Sequence, residues 1–357
     1  MYRQCTIVVV AFVLASFLSS NSLYIFNLSH LESAFAIPTD QTEVVLSTWA
    51  IPTRSANITS IMSDFGGNVY FVGSNASEIG RLVPTTNTFT EWSITGHPLN
   101  SSNIFALPAK PGKLTGGALD RNTGNVYFGE SNPNKIGMVD ATANTFTEWT
   151  LPANSGKLTG VALDPNTGSI YFGESNPNKI GRLVPKTNTF TEWALPANSG
   201  SPSHNSIAVV PVTGNIYIYF GESNPNKIGR LVSNNNTLTE YALPANSGSI
   251  FSITPANSGS IYFAESNSNK IGAFDPGINT FTEYALPVNS GKLTGVALDP
   301  NTGNIYFGES SPNKIGRLVL PNTFTEWSIA GHPLAITVSP GGSLFFADHI
   351  GRLGRFG

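Results

Sequence analysis

Ile305-Tyr306-Phe307-Gly308-Glu309, running on through Ser310-Ser311-Pro312-Asn313-Lys314-Ile315-Gly316-Arg317-Leu318 to Thr323-Phe324-Thr325-Glu326-Trp327, is one copy of a repeated unit. Close copies place their glutamate at Glu130, Glu174, Glu222, Glu265 and Glu309, at intervals of 44, 48, 43 and 44 residues. A period in the low forties with several short strands per unit predicts a β-propeller, in which each unit buries its faces only against its neighbours. Divergent copies at Val69-Tyr70-Phe71 and Leu344-Phe345-Phe346 bring the count to seven. Residues 42–357 then supply about 45 residues per unit, as such a period requires.

Within one unit, Leu158 to Leu163 reads as the inner strand A. Asp164-Pro165-Asn166-Thr167-Gly168 is a turn in which Pro presets φ and Gly is available for positive φ. Ser169 to Gly173, Lys179 to Val184 and Thr189 to Leu195 follow as strands B, C and D. Thr42 to Pro52 looks like an isolated strand D, and the last unit breaks off after Ile350-Gly351-Arg352-Leu353, where its own strand D is due. The N-terminal strand is therefore expected to complete the last blade and remove the open sheet edges. The expected fold is all-β, a seven-bladed propeller of four-stranded antiparallel blades. Antiparallel order puts the D–A and B–C loops on one face, and a pocket is expected at that mouth.

Charged residues make up only 11% of the chain and the net charge is −3, so no broad electrostatic footprint for nucleic acid exists. Residues 1–36 read as a signal peptide or a retained N-terminal membrane anchor: Arg3 precedes the uncharged apolar run Thr6 to Leu18, and Ala34-Phe35-Ala36 supplies a cleavage pattern. Residues 37–41 form a linker and 42–357 the propeller. The expected location is secreted or at the extracellular cell surface. The single cysteine, Cys5, precedes the apolar run, so the exported part has no thiol or disulfide chemistry. Sequons begin at Asn27, Asn57, Asn75, Asn100 and Asn235. The expected partner is a small molecule, a glycan or a surface protein, and the expected state is a monomer.

No nucleophile elbow, zinc spacing or phosphate loop is present, which leaves carboxylates as the main chemical resource. The repeated glutamates, joined by Asp348 in the last unit, could ring a hard cation. A structural ion pair is favoured, because Lys135, Lys179, Lys227, Lys270 and Lys314 each lie five residues on, across the B–C hairpin. In the first unit both members are lost together, as Gly73 and Glu78. Trp49, Trp92, Trp149, Trp193 and Trp327 occupy one strand D slot, filled by Tyr241 and Tyr284 in the other copies, and read as blade packing. Departures from the repeat are more informative. Ser93 to Phe105 is a 13-residue excess that could overhang the mouth, and blade four carries Ser201-Pro202-Ser203-His204 before its inner strand. Gly96 to Leu99 and Gly331 to Leu334 place His97 and His332 on the same face.

Units reading Ile-Tyr-Phe-Gly-Glu-Ser followed by Lys-Ile-Gly-Arg-Leu and Thr-Phe-Thr-Glu-Trp resemble those of the virginiamycin B lyase (streptogramin B lyase) family, across residues 42–357. The resemblance implies the seven-bladed fold. It also implies a Mg²⁺-assisted elimination that opens the ester of a cyclic streptogramin, with one histidine as base, a second against substrate, and carboxylates on the metal. The base is expected in a Glu-Pro-His-Gly-Ile-Thr motif, where this chain has His332-Pro333-Leu334-Ala335-Ile336-Thr337. Leu334 thus stands at the base position and His332 replaces a metal-binding Glu, while Thr294 stands at the second histidine's position. A leucine cannot abstract a proton. The expectation is a binding module without a catalytic residue, with His332, Thr294, Glu309 and Glu265 toward the ligand, and Asp348 and His332 left for Mg²⁺ if the family site is retained. The alternative is a Mg²⁺-dependent lyase with a rearranged site using His332, Asp348 and Glu309.

Overall fold

The structure is a computed structural model that describes residues 46–52, 57–74, 78–93, 104–106, 112–212 and 214–356, with Ser93 and 104–106 described as backbone only. The proposed leader, the linker, His97 and the sequons at Asn27, Asn75 and Asn100 lie outside the described residues.

Seven sheets, each with four antiparallel strands, form the blades of a propeller. Their inner A strands are Ile58–Ser63, Lys113–Leu119, Lys157–Leu163, Ser201–Val212, Ile250–Pro255, Lys292–Leu298 and Pro333–Val338, for blades 1 to 7 in order. Successive A strands pack side by side around the axis, and the other strands step outward. The closing strand behaves as expected: Leu46–Ala50 pairs antiparallel with Arg352–Phe356, Trp49 opposite Leu353, and completes blade 7.

The Phe-Gly-Glu and Ile-Gly-Arg segments of the repeat are two halves of one packing device. In blade 3, Phe172 of strand B pairs with Gly181 of strand C, and a Cβ on Gly181 would sit only 2.1 Å from the phenyl ring. The same pair recurs from Phe71 with Gly80 to Phe346 with Gly354. A flat ring covering a bare backbone lets the next blade approach closely, which is why this glycine repeats where strand propensity alone would disfavour it. The apolar clusters lie between blades: Tyr127 and Ile136 of blade 2, for example, pack with Phe172 and Leu183 of blade 3.

The strand D tryptophans join neighbouring blades. The indole N–H of Trp92 donates to Asn144 Oδ1 at 3.1 Å, and that of Trp193 to Asn236 Oδ1 at 2.9 Å. Each acceptor sits in the next blade's C–D turn with φ near 55° (54° and 58°), a conformation Asn adopts more readily than most residues. Part of the 13-residue excess is also placed: Ile104–Ala106 runs parallel to Glu91–Ser93 as a fifth strand on the outer edge of blade 1, away from the mouth.

Candidate functional site

The repeated glutamates come first because they were the obvious acids. Register pairs Glu174 with Lys179, as the hairpin reading expected, but the ammonium goes elsewhere. Lys179 Nζ bonds Glu192 of strand D at 2.6 Å, and Lys135 bonds Glu148 in the same way at 2.7 Å. All five repeat lysines make this strand C to strand D bridge. The strand B glutamates Glu130, Glu174, Glu222, Glu265 and Glu309 are instead fully buried, each with Oε2 accepting a backbone N–H from the glycine of a D–A loop: Gly112, Gly156, Gly200, Gly248 and Gly291.

Their other oxygen, Oε1, is buried and accepts nothing. Beside it lies the strand D carboxyl, which also takes a serine hydroxyl from the D–A loop in four blades, Ser155 to Glu192 among them. Burial, then repulsion from Glu192, pushes the Glu174 carboxyl up to about 7, against the Gly156 N–H and Lys179. Glu130, Glu222, Glu265 and Glu309 are pushed up to about 7 as well, burial being the first cause each time. A carboxyl that keeps its proton can donate to its partner carboxylate and fill the unmet position. The device ties three strands and a loop together; Glu265 and Glu309 hold D–A loops from inside their blades and do not line the central cavity.

That cavity is a channel of about 700 Å³ among the A strands. Thr294 and Leu334 both line it, so the two positions where the family resemblance expects histidines do share one wall. At the D–A end the channel is crossed by a bar. Strand A of blade 4 bulges between Pro202 and Ile207, and Asn205 at its tip, with φ 54°, donates its amide to Thr59 O of blade 1 at 2.8 Å. Gly116 and Gly160 make room, since a Cβ on Gly116 would lie 2.6 Å from the Asn205 oxygen. The blade 4 departure was visible in the sequence; its reach to the opposite wall was not. The channel also extends beyond the expected mouth, reaching Phe65, Arg121, Pro300 and Pro340 in the A–B turns of the other face.

His332 and Asp348 sit together on blade 7, in a tight corner. The His332 and His349 rings stack at 3.9 Å, 8° from parallel, and the His332 N–H donates to His349 Nδ1 at 3.1 Å. Burial first, then His349, holds the His332 imidazole below its ordinary range, while Asp348 pulls the other way. Asp348 is fully buried, with Oδ2 gripped by Arg352 Nε and Nη2 at 2.9 and 2.6 Å and Oδ1 taking the amides of Ile350 and Arg352 at 3.2 and 3.0 Å.

The Mg²⁺ implied by the family resemblance does not fit these residues. A hard dication needs several free oxygens, and the Asp348 carboxylate is already neutralised by a bidentate guanidinium. Among the described residues, no three His, Cys, Asp or Glu side chains are arranged to hold a metal.

These features define a seven-bladed propeller whose inner strands enclose a channel lined by small polar and aliphatic side chains. The chain belongs to the virginiamycin B lyase family, whose sequence profile matches residues 97–356. Among solved structures it is similar to a streptogramin B lyase, with a TM-score of 0.75, 26% identity, and 88% of this chain covering 97% of that one. It is also similar to a catalytically inactive histidine-to-alanine virginiamycin B lyase from Staphylococcus aureus with quinupristin, at a TM-score of 0.74 and 25% identity over 88% of this chain and 99% of that one. No curated protein matches the chain.

Proposed function

We propose that the chain is a ligand-binding propeller of the virginiamycin B lyase family, acting in a secreted or surface-anchored form, that does not carry out the family's elimination. One observation supports this above the others: the channel positions expected to carry histidines are Thr294 and Leu334, and among the described residues that line the channel there is no histidine and no carboxylate. Elimination needs a base within reach of a proton and a group that stabilises the enolate formed. His332 is the nearest candidate base in sequence, but it is stacked on His349 and is not part of the channel lining. What the channel does offer is a preformed concave surface with hydroxyl groups at Thr59, Ser60, Ser252 and Thr294, the ordinary composition of a small-molecule seat.

The test is incubation of the purified protein with quinupristin and Mg²⁺, followed by mass spectrometry. The expected outcome is intact cyclic antibiotic. Accumulation of a linear product of unchanged mass, with its altered fragmentation pattern, would refute the proposal and restore a rearranged active site.

A further inference from the structure

Among the described residues that line the channel, only Arg121 has an ionisable side chain. At mid-height six of the seven blades each contribute one branched aliphatic to a belt in the wall, Ile61, Val161, Ile207, Ile253, Val296 and Ile336, while blade 2 contributes Gly117. One end of this tube is crossed by the Asn205 bar, and the other opens among the A–B turns. In blades 3, 6 and 7 the second residue of that turn is a proline, Pro165, Pro300 or Pro340. Blades 1 and 2 replace it with Phe65 and Arg121, two adjacent departures from the proline.

The two side chains form a unit. Arg121 Nε donates to Ser63 O at 2.9 Å, and the guanidinium carbon lies 6.0 Å from the centre of the Phe65 ring. Phe65 is 68% exposed, with the Arg121 cation against its ring. Arg121 has no carboxylate within ion-pair distance among the described residues, whereas every repeat lysine has one. The carboxylate of Asp64 acts on Arg121 from beyond ion-pair distance, while it also accepts the Asn68 backbone and side-chain amides at 2.9 and 2.7 Å. A guanidinium at the rim of a channel whose wall alternates aliphatic and hydroxyl or amide side chains favours a ligand with a negative charge at that end.

We propose that the channel takes an amphiphile with an apolar body and a single anionic head, such as an alkyl or aryl carboxylate, entering tail-first from the A–B face with its head at Arg121 and its edge against Phe65. This rests on the binding reading above and specifies its ligand class and its entrance.

The experiment is isothermal titration of the full protein with decanoate, decanol and decyltrimethylammonium, which share a tail and differ in head charge. Decanoate is expected to bind roughly tenfold more tightly than decanol, and the cation less tightly than either. In Arg121→Gln the decanoate advantage disappears while decanol binding is unchanged. Ile336→Trp, which fills the belt, abolishes binding of both, with circular dichroism confirming the fold. Equal affinity for the three heads, no binding of decanoate, or an undiminished decanoate advantage in Arg121→Gln each overturns the proposal. The result is separable from the lyase question: quinupristin turnover would defeat the functional proposal while leaving this titration to stand or fall on Arg121.

Discussion

Replacing Glu174 by glutamine should stabilise the propeller at alkaline pH and leave it nearly unchanged in mild acid. Glu174 is fully buried, and its carboxyl is pushed from 4.5 up to about 7 by burial and by Glu192. A raised pKa means that the folded chain holds a proton that the unfolded chain releases. Its stabilising contribution is therefore complete below pH 4.5 and is lost as pH rises through about 7. The interval between those values corresponds to about 3 kcal/mol at one site. Glutamine preserves the acceptor for the Gly156 N–H and the donor toward Glu192, and carries no charge to desolvate. Urea denaturation at pH 5.5 and pH 8.5 reads the difference directly. Glu174→Gln should lose less stability than the parent between these two conditions, by up to about 2 kcal/mol, since the stretch from pH 5.5 to about 7 is what the pair of conditions samples, and should exceed the parent at pH 8.5. An identical pH slope in the two proteins, or a variant weaker than the parent at pH 8.5, would show that Glu174 is buried as a satisfied carboxylate and that the shared proton does not exist.

Two further substitutions test the scaffold around the site. Gly181→Ala puts a methyl group within 2.1 Å of the Phe172 ring and should cost about 1–3 kcal/mol in urea denaturation; Phe172→Leu in the same chain should recover part of that cost, and strict additivity of the two would contradict the packing argument. Arg352→Leu strips the buried Asp348 of its counter-charge and should cost about 3 kcal/mol, and added Mg²⁺ should not restore the loss; thermal rescue by Mg²⁺ would show that Asp348 can serve a metal after all.

The fold was legible because its signals recur seven times and are local. Phe and Gly at fixed offsets, one Trp or Tyr slot and an orphan strand D each have a physical reason that any copy can supply. The partners of Glu174 were not legible for a different reason. Cα register does place Lys179 opposite it, but a lysine reaches four carbons past its own backbone, and the more exposed Glu192 allows the charge to stay partly in water. The bar across the channel was half legible. Ser201-Pro202-Ser203-His204 announced a departure, yet its direction depends on a left-handed Asn205 and on glycines one and two blades away. Phe65 and Arg121 were overlooked although a signal was present, since both interrupt a proline slot. That slot sits in a turn, where a change of residue looks like surface drift until the channel behind it is seen. His332 and Asp348 are neighbours in blade 7, but sequence could not reveal that Arg352 already holds the carboxylate.

The pairing of Leu46–Ala50 with Arg352–Phe356 makes blade 7 the one blade assembled from both ends of the propeller. During synthesis the first strand must wait, unpaired, until the last is made. Closing so long an interval costs only slightly more entropy than closing a short one, because the penalty grows with the logarithm of length. The seam is therefore held by five residues of ladder, by the Trp49 packing and by the Trp49 indole bond to Asn87 of blade 1, and it is the place where unzipping can begin without breaking any other blade's strand ladder. A circular permutant that joins the two ends and opens a D–A loop elsewhere would move the seam to a different blade, and local hydrogen exchange should follow it there.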